Sequence, residues 1–112
     1  METILCAAIW YKDLKPKFDN PNQLPKNIKQ GVVICGHRHH SCISILNVTT
    51  GLRSVETGES SVGKNIQGFL TNKNRFVDRR EAFQIARQAE QILKGSPVYG
   101  FESAELHSED IY

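Results

Sequence analysis

The sequence predicts an α+β fold: a mainly antiparallel sheet with helices packed on one face and a long helix near the C-terminus. Three observations carry that prediction. Thr3 to Tyr11 is almost wholly apolar and reads as a central strand. Gly68–Leu70 and Arg75–Val77 are short apolar runs separated by Thr71-Asn72-Lys73-Asn74, a link whose asparagines tolerate left-handed backbone and so fit a tight turn between paired strands. Directly after them, Ala82, Phe83, Ile85, Ala86, Ala89, Ile92 and Leu93 recur at helical spacing, with Arg80, Gln84, Arg87, Gln88 and Gln91 largely opposite.

In chain order, the Thr3–Tyr11 strand is followed by Asp13 to Gln30, a Pro/Asn-rich surface loop long enough to act as a flap. Gly31 to Cys35 is a second buried strand that stops at Gly36 and enters His37-Arg38-His39-His40. Ser41 to Val48 fits a short helix, Leu52 to Thr57 a strand, and Gly58 to Asn65 a polar loop. Asp78 is the expected N-cap of the long helix with Glu81 as its capping-box partner, and Gly95 the expected left-handed stop before Pro97. Val98 to Phe101 is a last short apolar piece. Leu106, Ile111 and Tyr112 then imply that the terminal residues dock, within the chain or on a second subunit.

The 112 residues suit one domain, 1–112, and a formal charge of +2 is too small to argue for long nucleic acid. No apolar run approaches a membrane span, and Glu2 directly after Met1 leaves no basic region for a signal peptide. Cys6, Cys35 and Cys42 are odd in number and lie in or beside apolar sequence, as reduced cytoplasmic thiols do.

Recognition chemistry concentrates in two places. Arg75, Arg79 and Arg80 flank a helix N-terminus, beside the amides of Asn72 and Asn74 and the rings of Phe69 and Phe76; arginine forks and flat rings together suit a ligand with phosphates and a base. The alternative makes Phe69 and Phe76 core and the arginines a solvated helix start. The second place is the histidine cluster, where Arg38, next to His37, is the favoured anion contact. A zinc site there lacks a second group of ligands, and no metal or other cofactor is expected. Gly58 to Lys64 matches the spacing of a phosphate loop, but Asn65 stands where Ser or Thr is required, so the match is by chance.

The strand Ala7-Ala8-Ile9-Trp10-Tyr11, the runs Gly36-His37-Arg38-His39-His40, Gly68-Phe69-Leu70-Thr71 and Asn74-Arg75-Phe76-Val77-Asp78-Arg79, and the ending Ser108-Glu109-Asp110-Ile111-Tyr112 together resemble a family of small phage and prophage proteins. They are most similar to the first-described type of phage Thoeris anti-defence protein. The resemblance implies a non-enzymatic sponge that sequesters cyclic ADP-ribose signals, and in some members cyclic oligonucleotides, in the cytoplasm of the infected bacterium. It implies a homo-oligomer, dimer or hexamer, and ligand contacts at Arg38, Phe69, Asn74, Arg75, Phe76 and Arg79. The ending departs from the family pattern at Glu105, where relatives carry a basic residue, and at His107, where they carry an aromatic. The competing expectation is a small metal-dependent phosphodiesterase or nuclease built on His37, His39 and His40, with Asp110 as a further ligand.

Overall fold

The computed structural model describes residues 1–14, 24–50 and 65–112. Strands β1 (Ile4–Tyr11), β2 (Val32–Gly36), β3 (Asn65–Thr71) and β4 (Phe76–Asp78) form one antiparallel sheet in the order β2-β1-β3-β4. Helices α1 (His39–Thr50) and α2 (Arg79–Gln88) contribute to a core on one face, and Ser108–Asp110 forms a 3₁₀ turn. The class is therefore α+β. The expected strand at Leu52–Thr57, the Gly58–Lys64 motif and the middle of the Pro/Asn-rich loop lie outside the described residues.

The central strand is β1, paired on both sides and covered on both faces. Ile4, Ala7, Ile9 and Tyr11 meet Cys42 and Leu46 of α1, Phe83 and Ala86 of α2, Phe69, Val77 and Leu106. On the opposite face Ala8 packs with Phe76 and Ile28, flanked by Trp10, Val33, Cys35, Ile66 and Leu70. Two buried faces explain the almost unbroken apolar run. The β1–β3 register shifts between Ile4 and Cys6, and Leu5 within that irregularity is exposed.

The hairpin follows its turn chemistry. Thr71 N–H donates to Arg75 O at 2.9 Å and Asn74 takes a positive φ of 57°, the left-handed conformation asparagine tolerates. Gly68 lets β3 and β4 approach: a Cβ there would collide with the Val77 carbonyl. The outer edge of β4 is closed by a side chain, because the Asn27 amide donates to Phe76 O at 2.7 Å and accepts from Phe76 N–H at 2.8 Å.

The long C-terminal helix is corrected. Helix α2 has ten residues, starts under the Asp78 cap as expected, and stops at Gln88. Beyond it the chain runs through a series of turns, so the helix does not continue towards Gly95. The chain leaves the helix because Glu90 adopts φ 57° and Gln91 N–H closes onto Ala86 O at 2.8 Å, the pattern of a left-handed C-terminal cap. The Gln91 amide then accepts from Ile4 N–H at 2.8 Å and donates to Ile4 O at 2.9 Å. Ile4 lies beyond the stretch of β1 that β2 pairs, so a side chain stands in for a missing strand. The helical periodicity of Ile92 and Leu93 is coincidental.

Replacing Gln91 with Ala removes both bonds from a part-buried backbone site. The expected cost is roughly 1–3 kcal/mol, read as a lower urea midpoint with an unchanged m-value. A midpoint equal to the parent's would show that Gln91 does not hold the helix exit.

Candidate functional site

Two helix starts and the chain's last residues converge. At the end of β2 the chain turns at His37-Arg38 into α1, whose first turn carries no acidic residue of its own to complement the helix dipole. Cys42 Sγ lies 3.4 Å from Arg38 O and 3.6 Å from Ala7 O, anchoring this first turn to the central strand.

The C-terminal segment reaches the same place through Arg79. Leu106 N–H donates to Arg79 O at 2.9 Å, and Arg79 Nη1 donates back to Leu106 O at 2.7 Å. The other arm of the guanidinium donates to Gln67 Oε1 at 2.6 Å. Leu106 enters the core, and Asp110, itself buried, accepts from His107 N–H at 2.8 Å and from Ser96 Oγ at 2.6 Å. Tyr112 is thereby delivered to β1, where its hydroxyl accepts from Ala7 N–H at 3.2 Å. Burial pushes the Tyr112 phenol above its ordinary value.

Around that ring the recognition groups assemble. His37 stacks on Tyr112 with ring centroids 4.4 Å apart and planes 18° off parallel. The Arg38 guanidinium lies 5.5 Å from the same ring centre. Its Nη1 is enclosed without a hydrogen-bond partner, and its ion pair with Glu109 is long at 3.4 Å. Glu109 is 70 % exposed, so this carboxylate is loosely held. His39 is buried, with Nε2 donating to Gly68 O at 2.7 Å and its ring edge-on to Phe69 at 5.0 Å. Burial holds the His39 pKa below the usual histidine value, the Gly68 bond partly opposing it.

The structure brings together His37, Arg38 and Arg79 of the residues singled out by sequence. The others sit elsewhere. Phe69 is fully buried beneath the helices, and Phe76 lies on the opposite face, edge-on to Trp10 at 6.1 Å. Asn72 fastens the N-terminal segment, accepting from Thr3 N–H at 2.8 Å and donating to Met1 O at 3.2 Å. Asn74 serves the turn. Arg75, expected to be poised for phosphate, grips Glu2 through two 2.8 Å bonds and Glu81 through one of 2.9 Å. Glu81 is therefore Arg75's partner, where the sequence suggested a capping-box role. The Arg75 bonds, helped by Thr71 Oγ1 at 2.7 Å, hold the Glu2 carboxyl down to about 2.

Sequence reasoning assigned Tyr112 and Glu109 to docking and missed their place in the cluster. The signal was an aromatic and an acid in a terminal segment with apolar anchors on both sides. Among the described residues, no three His, Cys, Asp or Glu side chains stand close enough to share a metal ion, and His39 is committed to a carbonyl. Nor is any described helix long and apolar enough to cross a membrane. Cys6, Cys35 and Cys42 are free thiols. A Cys6–Cys35 hydrogen bond lowers the Cys6 pKa to about 7 and raises that of Cys35.

A protein-family model described as Phage T4 y16D protein matches residues 3–112. No curated protein and no solved structure matches the chain.

The two depressed pKa values predict acid destabilisation in two windows. The His39 contribution is complete above the unfolded histidine value of about 6.5 and is lost as pH falls through the lower folded value. That of Glu2 is complete above about 4.3 and is lost as pH falls towards its folded value. Urea unfolding at a series of pH values checks this: His39→Gln, which keeps an amide donor but does not titrate, flattens the first window only. An unchanged slope between pH 6.5 and 5 in that variant would assign the acid loss to other groups.

Proposed function

The chain belongs to the phage T4 y16D protein family, small phage proteins, and we propose that it is an anti-defence sponge. In this reading it binds a cyclic nucleotide immune signal of the cyclic ADP-ribose class inside the infected host and sequesters it uncleaved. The observation that carries the reading is Arg38: a guanidinium whose enclosed Nη1 makes no hydrogen bond and only a 3.4 Å ion pair, set between a helix N-terminus and the stacked His37–Tyr112 pair. Phosphate is the group this donor and the α1 N–H groups match. The His37–Tyr112 stack offers an aromatic surface for a base.

Glu109 completes the logic. Its exposed carboxylate occupies the anion position only loosely, at 3.4 Å from Nη1. A ligand pyrophosphate, with two charges and more acceptor oxygens, displaces it. Binding without turnover is supported by the histidine geometry: His39 is locked onto Gly68 and His37 lies flat on Tyr112, leaving neither arranged with a nucleophile. A sponge needs high affinity, and a nanomolar constant corresponds to about 12 kcal/mol. One helix end and one arginine fall short of that, so a homo-oligomer sharing elements across subunits belongs to the same proposal.

Calorimetry with a cyclic ADP-ribose isomer, paired with thermal melts and light scattering, tests it. Arg38→Ala is expected to weaken binding at least tenfold, the loss of about 2–5 kcal/mol typical of a charge-assisted contact, while melting like the parent. Glu109→Gln should bind tighter. Ligand recovered intact after heat denaturation indicates sequestration, whereas converted ligand indicates catalysis and overturns the sponge. Parent-like binding by Arg38→Ala would move the site elsewhere.

A further inference from the structure

The exit of α2 builds a second concavity that the site above does not use. A cavity of about 480 Å³ opens there between Arg87 and Glu90 on one side and Lys94, Tyr99, Gly100 and Phe101 on the other. We infer that it is a separate binding site for a planar aromatic anion of the size of a purine mononucleotide.

Exposure supplies the first argument. Tyr99 and Phe101, 49 % and 54 % exposed, are the only exposed Phe, Tyr or Trp side chains among the described residues, and both line this one cavity. Large rings left in water at one concave spot mark an interaction surface more often than chance packing. Charge supplies the second. Arg38, Arg75 and Arg79 all have intramolecular partners, whereas Arg87 and Lys94 enter no ion pair among the described residues. Arg87 does lie in the last turn of α2, where a cation complements the helix dipole. That role accounts for Arg87 but not for the meeting of Lys94 and two rings beside it.

The walls are held in place. Turn bonds Ser96 N–H to Leu93 O (3.0 Å), Tyr99 N–H to Ser96 O (3.1 Å) and Phe101 N–H to Val98 O (3.1 Å) fold this segment back over the helix end. Gln84 Nε2 ties it to α2 through Glu102 O at 2.9 Å. The lining itself defines the ligand class. Two cations against one carboxylate favour an anion, and two ring faces favour a flat apolar body. Glu90 disfavours a bare small anion and provides an acceptor for an amine or hydroxyl. The volume falls in the small-ligand range of roughly 300–1,000 Å³.

The site is independent of the Arg38 cluster. Arg79 and Arg87 are eight residues apart on α2, about 12 Å along its axis at ~1.5 Å per residue.

The test is calorimetry of the full chain with AMP, adenosine and inorganic phosphate, in the parent and in Arg38→Ala, which removes the first site's anion contact. AMP is expected to bind both proteins alike, with adenosine and phosphate each at least tenfold weaker. Arg87→Ala/Lys94→Ala and Phe101→Ala, all at exposed positions, should each reduce AMP affinity at least tenfold without moving the melting temperature. Three results would overturn the proposal: no AMP binding at millimolar concentration, binding that survives those variants, or binding that disappears in Arg38→Ala. Phosphate binding as tightly as AMP would overturn the aromatic part and with it the ligand class.

Discussion

The reciprocal pairing of Arg79 with Leu106 is the contact on which the rest of the arrangement depends. A backbone N–H and a guanidinium, from the terminal segment and the start of α2, donate bonds of 2.9 and 2.7 Å in opposite directions. Leu106 drops into the core beside them. Everything after Leu106 is thereby aimed: Asp110 at Ser96, Tyr112 at the central strand, and Glu109 at Arg38. The price of burying the Arg79 charge is visible in its pKa, which desolvation lowers while Glu105, Glu109 and Asp110 oppose the shift. The strands and helices among the described residues offer little other means of bringing the terminal segment to the first turn of α1.

Polar side chains elsewhere substitute for missing backbone. Asn27 pairs with the outer edge of β4 as a neighbouring strand would, and Gln91 does the same for Ile4. Asn72 and Glu2 hold the N-terminal residues to the hairpin, Asn72 through Met1 O and Thr3 N–H and Glu2 through Thr71. At Phe76 and Ile4 the amide makes a two-point contact that satisfies part-buried backbone groups which would otherwise be left unpaired. This economy shapes function as well. Polar residues near the hairpin that looked available for a ligand are consumed by the fold.

Legibility in the sequence tracks the range of the interactions involved. The strand–turn–strand–cap unit from Gly68 to Glu81 is governed by neighbours a few residues apart, and its turn and Asp78 cap were readable. The exit from α2 was not. Periodicity continued to Leu93, whereas the chain turns out at Glu90 and is held there by the pairing of Gln91 with Ile4, 87 residues away. The same reasoning separates the site residues. Arg38 and His37 stand out as polar groups at a strand end, but the pairing of Arg75 with Glu2 spans 73 residues and left no local mark. Composition alone cannot distinguish an arginine awaiting a phosphate from one already holding a carboxylate.

That distinction separates the three arginine environments physically. Arg75 makes three bonds of 2.9 Å or less to two carboxylates, so a ligand anion arriving there would have to break an optimised, part-buried network. Arg79 is committed to a carbonyl and an amide whose loss would release the terminal segment. Only Arg38 holds its partner at a distance, 3.4 Å from an enclosed Nη1 that makes no hydrogen bond, and that partner is itself largely in water. Displacing Glu109 returns an exposed carboxylate to solvent, where its hydration compensates for the contact it gives up. An anion therefore gains most where the chain has bound its own acid least well, and in this protein that place is the junction of α1 with the terminal tyrosine.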